Sequence, residues 1–241
     1  PVGAGAFAGH ANLKLFGVNQ SISVLRWPTS KFRTCIANDS ADAADSTSAL
    51  ALRHGGIAAA NASYFNVRTL YPTTFTKDDG KQEGWTTPDE LIRVDGVVAI
   101  KGRNVRIIPC DTVSCYDVTK KYNEALAAGP VLMLDGQEAR QSWPNHSFFT
   151  WRHPRTFIGT TSDGWVYLVV IDGRFKEGVG TTIHETAEIA RMLGLRDALN
   201  LDGGGSSVLW TKEHGTISYP FDNHRYDPFG QRVVPNIISI R

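Results

Sequence analysis

A run of three glycines between two apolar segments constrains this chain more than any other feature. Residues 200–207 read Asn-Leu-Asp-Gly-Gly-Gly-Ser-Ser, and the flanking residues 198–199 and 208–210 are apolar. Short apolar runs bounded by glycine predict buried strands on both sides. Glycines between strands give up side-chain packing and cost backbone entropy. The run therefore predicts either a turn with positive φ angles or a loop whose bare backbone contacts a ligand, and composition does not decide between them.

Composition sets limits on the class of protein. The chain has 241 residues, of which 41% are hydrophobic and 20% charged, and its net charge is +1. These values are typical of a globular protein, and the length allows one large domain or two small ones. No run of Lys and Arg is present, which argues against a nucleic-acid partner. No apolar stretch approaches the roughly 20 residues of a membrane span, and the first residues show no signal-peptide pattern.

The three cysteines leave the redox compartment open. Cys110 and Cys115 are close enough in sequence to close a small disulfide loop, and Cys35 is left over. A close pair fits an oxidising compartment, but three reduced thiols fit the same count. A zinc site is disfavoured, because no second Cys or His pair follows at the spacing of zinc ligands.

Strand patterns outnumber helix patterns along the chain. The clearest hairpin pairs residues 155–161 with residues 165–172 around a Ser-Asp-Gly turn, and the clearest helix covers residues 183–193. Thr182 and Glu185 have the spacing of a capping box at its start. The other patterns predict a strand or hairpin over 13–26, a helix over 45–54, a strand over 57–65, a surface loop over 66–90, a strand pair over 91–108 and a helix over 117–127. No convincing linker divides the chain, so we expect one α+β domain over residues 1–241, with mixed β-sheet strands and two or three helices packed against them.

Polar residues interrupt, open or end several predicted buried strands. Asn61, Arg155, Asp172, Asn200 and Asp202 all occupy such positions. An unpaired polar group in the interior costs one to a few kcal/mol, and binding groups commonly lie at strand ends. Each residue alone has an ordinary structural explanation, such as a turn or a surface ion pair. Their combination with the glycine run favours a binding site.

Other catalytic patterns are missing from the sequence. The seven histidines show neither HExxH nor HxH spacing, which disfavours a catalytic zinc. No GxSxG motif is present, and the glycine run lacks the lysine of a P-loop. Serine-hydrolase chemistry and nucleotide triphosphate chemistry are both disfavoured.

Several segments together resemble the phosphodiester glycosidase family, whose members include N-acetylglucosamine-1-phosphodiester α-N-acetylglucosaminidase and bacterial and phage-encoded relatives. The resemblance covers residues 57–241, and residues 1–56 are expected to add N-terminal strands and a helix to the same domain. Ala62-Ser63 stands where the family usually has glycines. The matching segments are Ala-Ala-Asn-Ala-Ser-Tyr-Phe at 59–65, Gly-Pro-Val-Leu at 129–132, Arg-Thr-Phe-Ile-Gly at 155–159, Val-Val-Ile-Asp-Gly-Arg at 169–174, the run from Thr182 to Ser207, and Val-Pro-Asn-Ile-Ile at 234–238.

The resemblance implies hydrolysis of the bond between the anomeric carbon and the phosphate in a sugar-1-phosphodiester. The substrate would be a GlcNAc-1-phosphodiester or a teichoic-type glycan phosphate of a cell surface. Ordinary glycosidases use two carboxyl groups. Here the leaving group is a phosphate monoester, whose second pKa is about 6. The demand for a general acid therefore falls, and the demand for anion binding rises.

The candidate residues take roles in that reaction. Asp202 is the first candidate for the essential carboxylate, Glu185 the second, and Asp172 a third. The predicted substrate contacts are Arg155 and Arg174 on the phosphate, an anion nest of the N–H groups of Gly203, Gly204 and Gly205 with Ser206 beside it, and Asn61 and Asn200 on sugar hydroxyls.

Alternatives remain open at this stage. One is a non-catalytic glycan- or sugar-phosphate-binding module of a secreted or phage surface assembly. Another adds Ca²⁺ or Mg²⁺ at Asp172, Asn200 and Asp202, because hard cations prefer oxygen ligands, although a reaction without a cofactor is the default. The family and the cysteine pair indicate a secreted, extracellular or periplasmic protein with a glycan partner. The sugar, the aglycone and the oligomeric state stay open.

Overall fold

The computed structural model of the protein describes residues 1–110 and 117–241. Strands make up 41% of it and helices 14%, so the α+β class holds, with more sheet than the sequence suggested. Every pairing between described strands is antiparallel. No helix in these residues has the length and apolar character needed to cross a membrane.

The largest sheet has seven strands. They are β1 (Phe7–Leu15), β2 (Val18–Pro28), β11 (Val131–Leu134), β12 (Gln137–Glu138), β13 (Arg155–Thr160), β14 (Trp165–Ile171) and β15 (Asp197–Asn200). Their order across the sheet is β1-β2-β14-β13-β15-β11-β12. The predicted hairpin is confirmed as β13 and β14, with Arg155 opposite Ile171.

Two five-stranded sheets complete the architecture, together with a short pair of strands. The second sheet contains β6 (Thr76–Asp78), β7 (Lys81–Gly84), β8 (Gly96–Lys101), β9 (Asn104–Pro109) and β10 (Glu124–Ala128), in the order β7-β6-β10-β8-β9. The third contains β3 (Thr34–Asn38), β5 (Ala58–Asn61), β16 (Leu209–Thr211), β17 (Gly215–Thr216) and β19 (Asn236–Ile240), in the order β17-β16-β5-β19-β3. The pair is β4 (Asp45–Ser46) with β18 (Val233–Val234).

Three α-helices lie outside the sheets in the described residues. They are α1 (Thr47–Arg53), α2 (Ser147–Thr150) and α3 (Ile183–Met192), and 3-10 turns occur at residues 41–43, 88–90 and 204–206. Helix α3 begins at the predicted capping box, in which Thr182 accepts from the N–H of Glu185 and the Glu185 carboxylate accepts from the N–H of Thr182. Helix α1 begins at Thr47, two residues after the predicted start, and Ser46 caps it.

All three sheets contribute to one central core. Strand β14 shows how the core is layered: Leu168 and Val170 face the central cluster, whereas Val169 and Ile171 face the cluster under α3. Successive side chains of a strand point to opposite faces. Both faces of β14 are therefore buried, and the strand reads as a continuous apolar run.

Two predicted segments were wrong. Residues 124–127, expected to end the helix over 117–127, belong instead to β10, whose five residues are all buried in the middle of the second sheet. Residues 66–90, expected to be a loop, contain β6 and β7. The predicted Cys110–Cys115 bridge involves residue 115, which lies outside the described residues; Cys110 is disulfide-bonded and Cys35 is a free buried thiol.

Candidate functional site

The glycine run joins two sheets. Strand β15 of the seven-stranded sheet ends at Asn200, and β16, which begins at Leu209, pairs with β5 of the third sheet. Residues 204–206 between them form a 3-10 turn. Gly204 has a φ of +62°, and a Cβ on Gly203 would lie 2.5 Å from the carbonyl oxygen of Pro154. The run is therefore the predicted tight turn, and it also packs closely against the start of β13.

A cleft of about 270 Å³ lies beside this turn. Five of the predicted site residues line it, and five further residues were not predicted. The lining residues are Tyr64, Arg93, Ser147, Phe148, His153, Arg155, Arg174, Asp202, Gly203 and Gly204.

Asp202 is the one acid among the described residues that line the cleft. Its backbone N–H donates to the carbonyl of Ala62, and its Oδ1 accepts from the N–H of Gly203 at 2.9 Å. Burial raises the pKa of Asp202 to about 6, although Ser206 and the charge of Arg93 act in the opposite direction. No cation in the described residues forms an ion pair with it. The carboxylate is thus available to a ligand and titrates near neutral pH.

Arg155 is a buried cation that forms no ion pair with any acid in residues 1–110 and 117–241. Its side chain is 2% exposed, and it donates to the carbonyl oxygens of Thr181 at 3.0 Å and Phe148 at 2.7 Å. Burial lowers the pKa of Arg155 to about 10. A buried charge is costly unless it is paired. Carbonyl oxygens carry only partial negative charges and do not neutralise the guanidinium, so Arg155 suits an anionic ligand.

Further positive charge surrounds the cleft. Arg174 is exposed, has a φ of +67° and forms no ion pair with the described acids. Arg93 is paired with Glu90, and its guanidinium lies 3.9 Å from the ring centroid of Tyr64. Burial and the charges of Arg155 and Arg174 lower the pKa of His153, which favours the neutral ring. The cleft therefore combines one carboxylate with an excess of cations.

Asn61 and Asn200 brace the cleft from behind. The Asn61 amide donates to the carbonyl of Asp202 at 2.7 Å, and its oxygen accepts from Thr156 and from the N–H of Val208. The Asn200 amide donates to the Tyr64 hydroxyl and to the carbonyl of Gly129. Neither side chain lines the cleft. Their predicted contact with sugar hydroxyls stays a prediction, and in this structure they hold the turn and Tyr64 in place.

Asp172 and Glu185, the other predicted carboxylates, lie outside the cleft lining. Asp172 accepts from Ser21 Oγ at 2.6 Å and from the N–H of Tyr219 at 2.8 Å. Burial raises the pKa of Asp172 to about 7. Burial also acts to raise the pKa of Glu185, but the hydrogen bonds from Arg152 and Thr182 hold it below its ordinary value. Both carboxylates are already bonded to protein groups, and their catalytic roles stay predictions.

A model of the phosphodiester glycosidase family (NAGPA) matches residues 54–241. The chain belongs to this family. The chain is also similar to three known proteins. The SPβ prophage-derived uncharacterized protein YomE of Bacillus subtilis strain 168 is 28% identical over 113 residues, which is 47% of this chain and 17% of YomE. The chain thus spans about a sixth of that relative.

Two solved structures share the fold. The catalytic domain of zebrafish N-acetylglucosamine-1-phosphodiester α-N-acetylglucosaminidase, auto-inhibited by its pro-peptide, superposes with a TM-score of 0.76 at 16% identity, covering 98% of this chain and 82% of that one. The "Putative exported protein" of Burkholderia pseudomallei K96243 superposes with a TM-score of 0.65 at 15% identity, covering 92% of this chain and 74% of that one. The expected family resemblance is confirmed.

The anion nest expected at the glycine run stays a prediction, and two of its three N–H groups already donate within the protein. The N–H of Gly203 donates to the Asp202 carboxylate, and the N–H of Gly204 donates to the carbonyl of Pro154. Both donors are therefore occupied. Gly205 and Ser206 do not line the cleft, and the space where a Gly205 side chain would lie is filled by the ion pair of Asp222 and Arg232.

A divalent cation in this family member stays a prediction. Within residues 1–110 and 117–241, no group of three or more His, Cys, Asp or Glu side chains is arranged to hold a metal ion. Both oxygens of Asp172 accept hydrogen bonds from the protein. Of the three predicted ligands, only Asp202 lines the cleft.

Sequence reasoning missed half of the cleft. Tyr64 lies in a segment that carried the family resemblance, but its role as a wall was not assigned. The others are Arg93, Ser147, Phe148 and His153. Arg93 and His153 come from connecting segments, whereas Ser147 and Phe148 lie in the short helix α2. No motif in either kind of segment indicated a site. Only the fold brings them to the glycine turn.

Proposed function

We propose that the protein hydrolyses the bond between the anomeric carbon and the phosphate oxygen of a sugar-1-phosphodiester. The observation that carries this proposal is that one cleft is lined both by Asp202, an acid with a pKa of about 6, and by Arg155, a buried cation with no acid partner among the described residues. Family membership and the shared fold support a hydrolase in general. The choice of a sugar-1-phosphodiester as substrate rests on the charges in the cleft.

The charges of the cleft suit the phosphate of such a substrate. Arginine guanidinium groups bind phosphate oxygens through paired hydrogen bonds. Arg155 and Arg174 both line the cleft, and neither is paired with a described acid. They would hold the phosphate and stabilise the negative charge that grows on it as the bond breaks.

A single carboxylate is enough for this reaction. The departing phosphate monoester has a second pKa of about 6, so it leaves without full protonation by a general acid. The ionised Asp202 carboxylate stabilises the oxocarbenium-like transition state and takes up a proton from the attacking water. The water oxygen bonds to the anomeric carbon, the bridging oxygen departs on the phosphate, and the proton passes to solvent.

The bond that breaks can be identified directly. The protein is incubated in ¹⁸O-labelled water with UDP-GlcNAc and with a teichoic-type glycan phosphate, and both products are analysed by mass spectrometry. We expect ¹⁸O in the sugar and none in the phosphate. Label in the phosphate would show P–O cleavage and contradict the proposal. Binding of substrate with no turnover would make the protein a glycan-phosphate-binding module.

We also propose that the protein works outside the cytoplasm. Two observations support this location: a protein with the same fold carries the name "Putative exported protein", and Cys110 is disulfide-bonded. Glycan phosphates of cell surfaces would be available there. Fractionation of cells that express the full-length natural protein would test it, and retention in the cytoplasm would contradict it.

A further inference from the structure

Arg174 is held in the cleft by an unusual set of contacts. Its backbone lies in the left-handed region, with a φ of +67°, which is uncommon for a residue other than glycine. Its guanidinium carbon lies 5.1 Å from the centroid of the Phe221 ring. On the other side, a Cβ added to Gly204 would lie 3.5 Å from Arg174 Nη2. The guanidinium is therefore confined between an aromatic ring and the glycine turn.

Phe221 belongs to an aromatic cluster in residues 219–226, which we call the aromatic segment. The Phe221 ring lies 5.2 Å from Phe175 and 4.7 Å from His224. Tyr226 lies 5.5 Å from Phe175 and stacks on Tyr219 with ring centroids 4.0 Å apart. These contacts fix the position of the ring beneath Arg174.

The buried Asp172 anchors this segment to the seven-stranded sheet. Its Oδ1 accepts from the N–H of Tyr219, and its Oδ2 accepts from Ser21 Oγ. The Ser21 hydroxyl is also 2.9 Å from the Tyr226 hydroxyl. Asp172 directly follows β14 and lies two residues before Arg174. One carboxylate therefore ties both the arginine and its aromatic support to the same strand end.

The aromatic segment also contacts the glycine turn through Asp222, which follows Phe221. Asp222 forms two hydrogen bonds with Arg232, at 2.8 and 2.6 Å. This ion pair occupies the space where a side chain on Gly205 would lie. The aromatic segment thus packs against the turn that carries Asp202.

We infer that Phe221 is a positioning residue that holds the Arg174 guanidinium toward the phosphate of the bound substrate. This inference rests on the proposed function. Arg155 is fixed by backbone carbonyls, whereas Arg174 has no hydrogen-bond acceptor of that kind among the described side-chain contacts and depends on the ring. A guanidinium over an aromatic face is stabilised by the ring quadrupole and keeps its N–H edges free for a ligand.

A double-mutant cycle tests the inference. The affinity for N-acetylglucosamine 1-phosphate is measured by calorimetry for wild type, Phe221→Leu, Arg174→Gln and the double variant. We expect Phe221→Leu to weaken binding about threefold to tenfold, the size of a cation–π contact. In the Arg174→Gln background the same substitution should have no further effect, because the ring acts through the arginine.

Two controls separate positioning from loss of structure. Phe221→Tyr keeps the aromatic face and should retain wild-type affinity within about twofold. Phe229→Leu changes a ring that is 83% exposed in the same loop and should leave the affinity unchanged. With a hydrolysed substrate, Phe221→Leu should raise KM and also lower kcat by about twofold to tenfold, because the contact between Arg174 and the phosphate strengthens as negative charge grows in the transition state.

The outcomes distinguish this inference from the proposed function. An equal loss from Phe221→Leu with and without Arg174 would overturn the positioning role, and so would no loss in the wild-type background. If the wild type binds the sugar phosphate but cleaves no phosphodiester, the hydrolase proposal fails while the binding cycle still decides the role of Phe221. No binding by the wild type would overturn both.

Discussion

Asp202 and Asp172 differ in how far the protein already hydrogen-bonds their carboxylates. Asp172 follows β14, is 1% exposed and accepts from Ser21 and Tyr219. Asp202 follows β15, accepts from the adjacent Gly203 N–H and faces a cleft with unpaired cations. Both carboxyls have raised pKa values because of burial. The difference shows that a raised pKa alone does not mark a reactive group; free bonding capacity beside a cleft does.

The arginines show the same contrast. The Arg152 guanidinium donates three hydrogen bonds to Glu185, two to one carboxylate oxygen and one to the other. Arg155, three positions along the chain, is buried, and its partners in the described part of the chain are all backbone carbonyls. A buried cation without an acid partner attracts an anion.

The largest difference is expected between Asp202→Asn and Glu185→Gln. Asn keeps the shape of Asp202 and can still accept from Gly203, but it removes the charge that stabilises the transition state. We expect kcat/KM for a sugar-1-phosphodiester to fall by about a thousandfold or more. Glu185→Gln should change it by less than about threefold, since that side chain caps α3 outside the cleft. A larger loss from Glu185→Gln, measured by steady-state kinetics, would reverse the assignment.

Arg155→Lys should have the next largest effect. Lysine retains the charge but loses the planar fork that bonds phosphate and the two backbone carbonyls together. KM should rise by about tenfold to a hundredfold. Arg152→Lys is the matched control and should leave KM unchanged while lowering the melting temperature by a few degrees. Equal KM changes in the two variants would show that Arg155 does not contact the phosphate.

The pH profile tests Asp202 without a substitution. Its pKa is about 6, and the proposed role needs the ionised form. The value of kcat/KM should therefore be maximal above pH 6 and fall about tenfold per pH unit below it. Asp202→Asn should abolish this dependence. Activity that increases as the pH falls through 6 would instead make Asp202 a general acid.

The last prediction concerns the stability contributed by Asp172, not the activity. Its folded pKa of about 7 exceeds the ordinary value of about 3.9, so the folded state holds this proton more tightly than the unfolded chain. The contribution is complete below pH 4 and is lost as the pH rises through 7. Asp172→Asn should reduce the fall in unfolding free energy between these pH values by about 3 kcal/mol. Urea unfolding at pH 4.5 and 7.5 measures it; an unchanged slope would contradict the prediction.

Local chemistry predicted some elements well. Helix α3 carries its own start signal, because Thr182 and Glu185 satisfy free N–H groups of the first turn. The β13–β14 hairpin carries a turn sequence matched to two strands of suitable length. Such elements are specified within a few residues, so no knowledge of the rest of the fold is needed to predict them.

Strand β10 shows where local reasoning ends. Its sequence, Glu-Ala-Leu-Ala-Ala, consists of good helix formers. Yet Ala125 and Leu126 face opposite clusters, and β6 and β8 pair with both sides of the strand. Small side chains suit a strand that is buried on both faces. Tertiary packing overrides helix propensity here, and no local pattern indicates it.

The site residues also divide into those that local sequence patterns predicted and those that they did not. Asp202, Arg155 and Arg174 were predicted because they interrupt or follow apolar strands beside the glycine run. Arg93 and His153 were not, because each lies in a segment whose direction is set by distant packing. The N–H groups of Gly203 and Gly204 were predicted to bind an anion but are used inside the turn, a choice that depends on Pro154.

The braces behind the cleft span most of the chain. Asn61 and Asp202 are 141 residues apart in sequence, and Asn200 and Tyr64 are 136 apart. Closing loops of that length costs chain entropy before any contact repays it, and such topologies fold slowly. The cleft therefore forms only once the three sheets have assembled. The rate at which sugar-phosphate binding recovers during refolding would therefore measure the last stage of folding. A fragment that ends before residue 200 lacks Asn200 and Asp202 and cannot assemble the site.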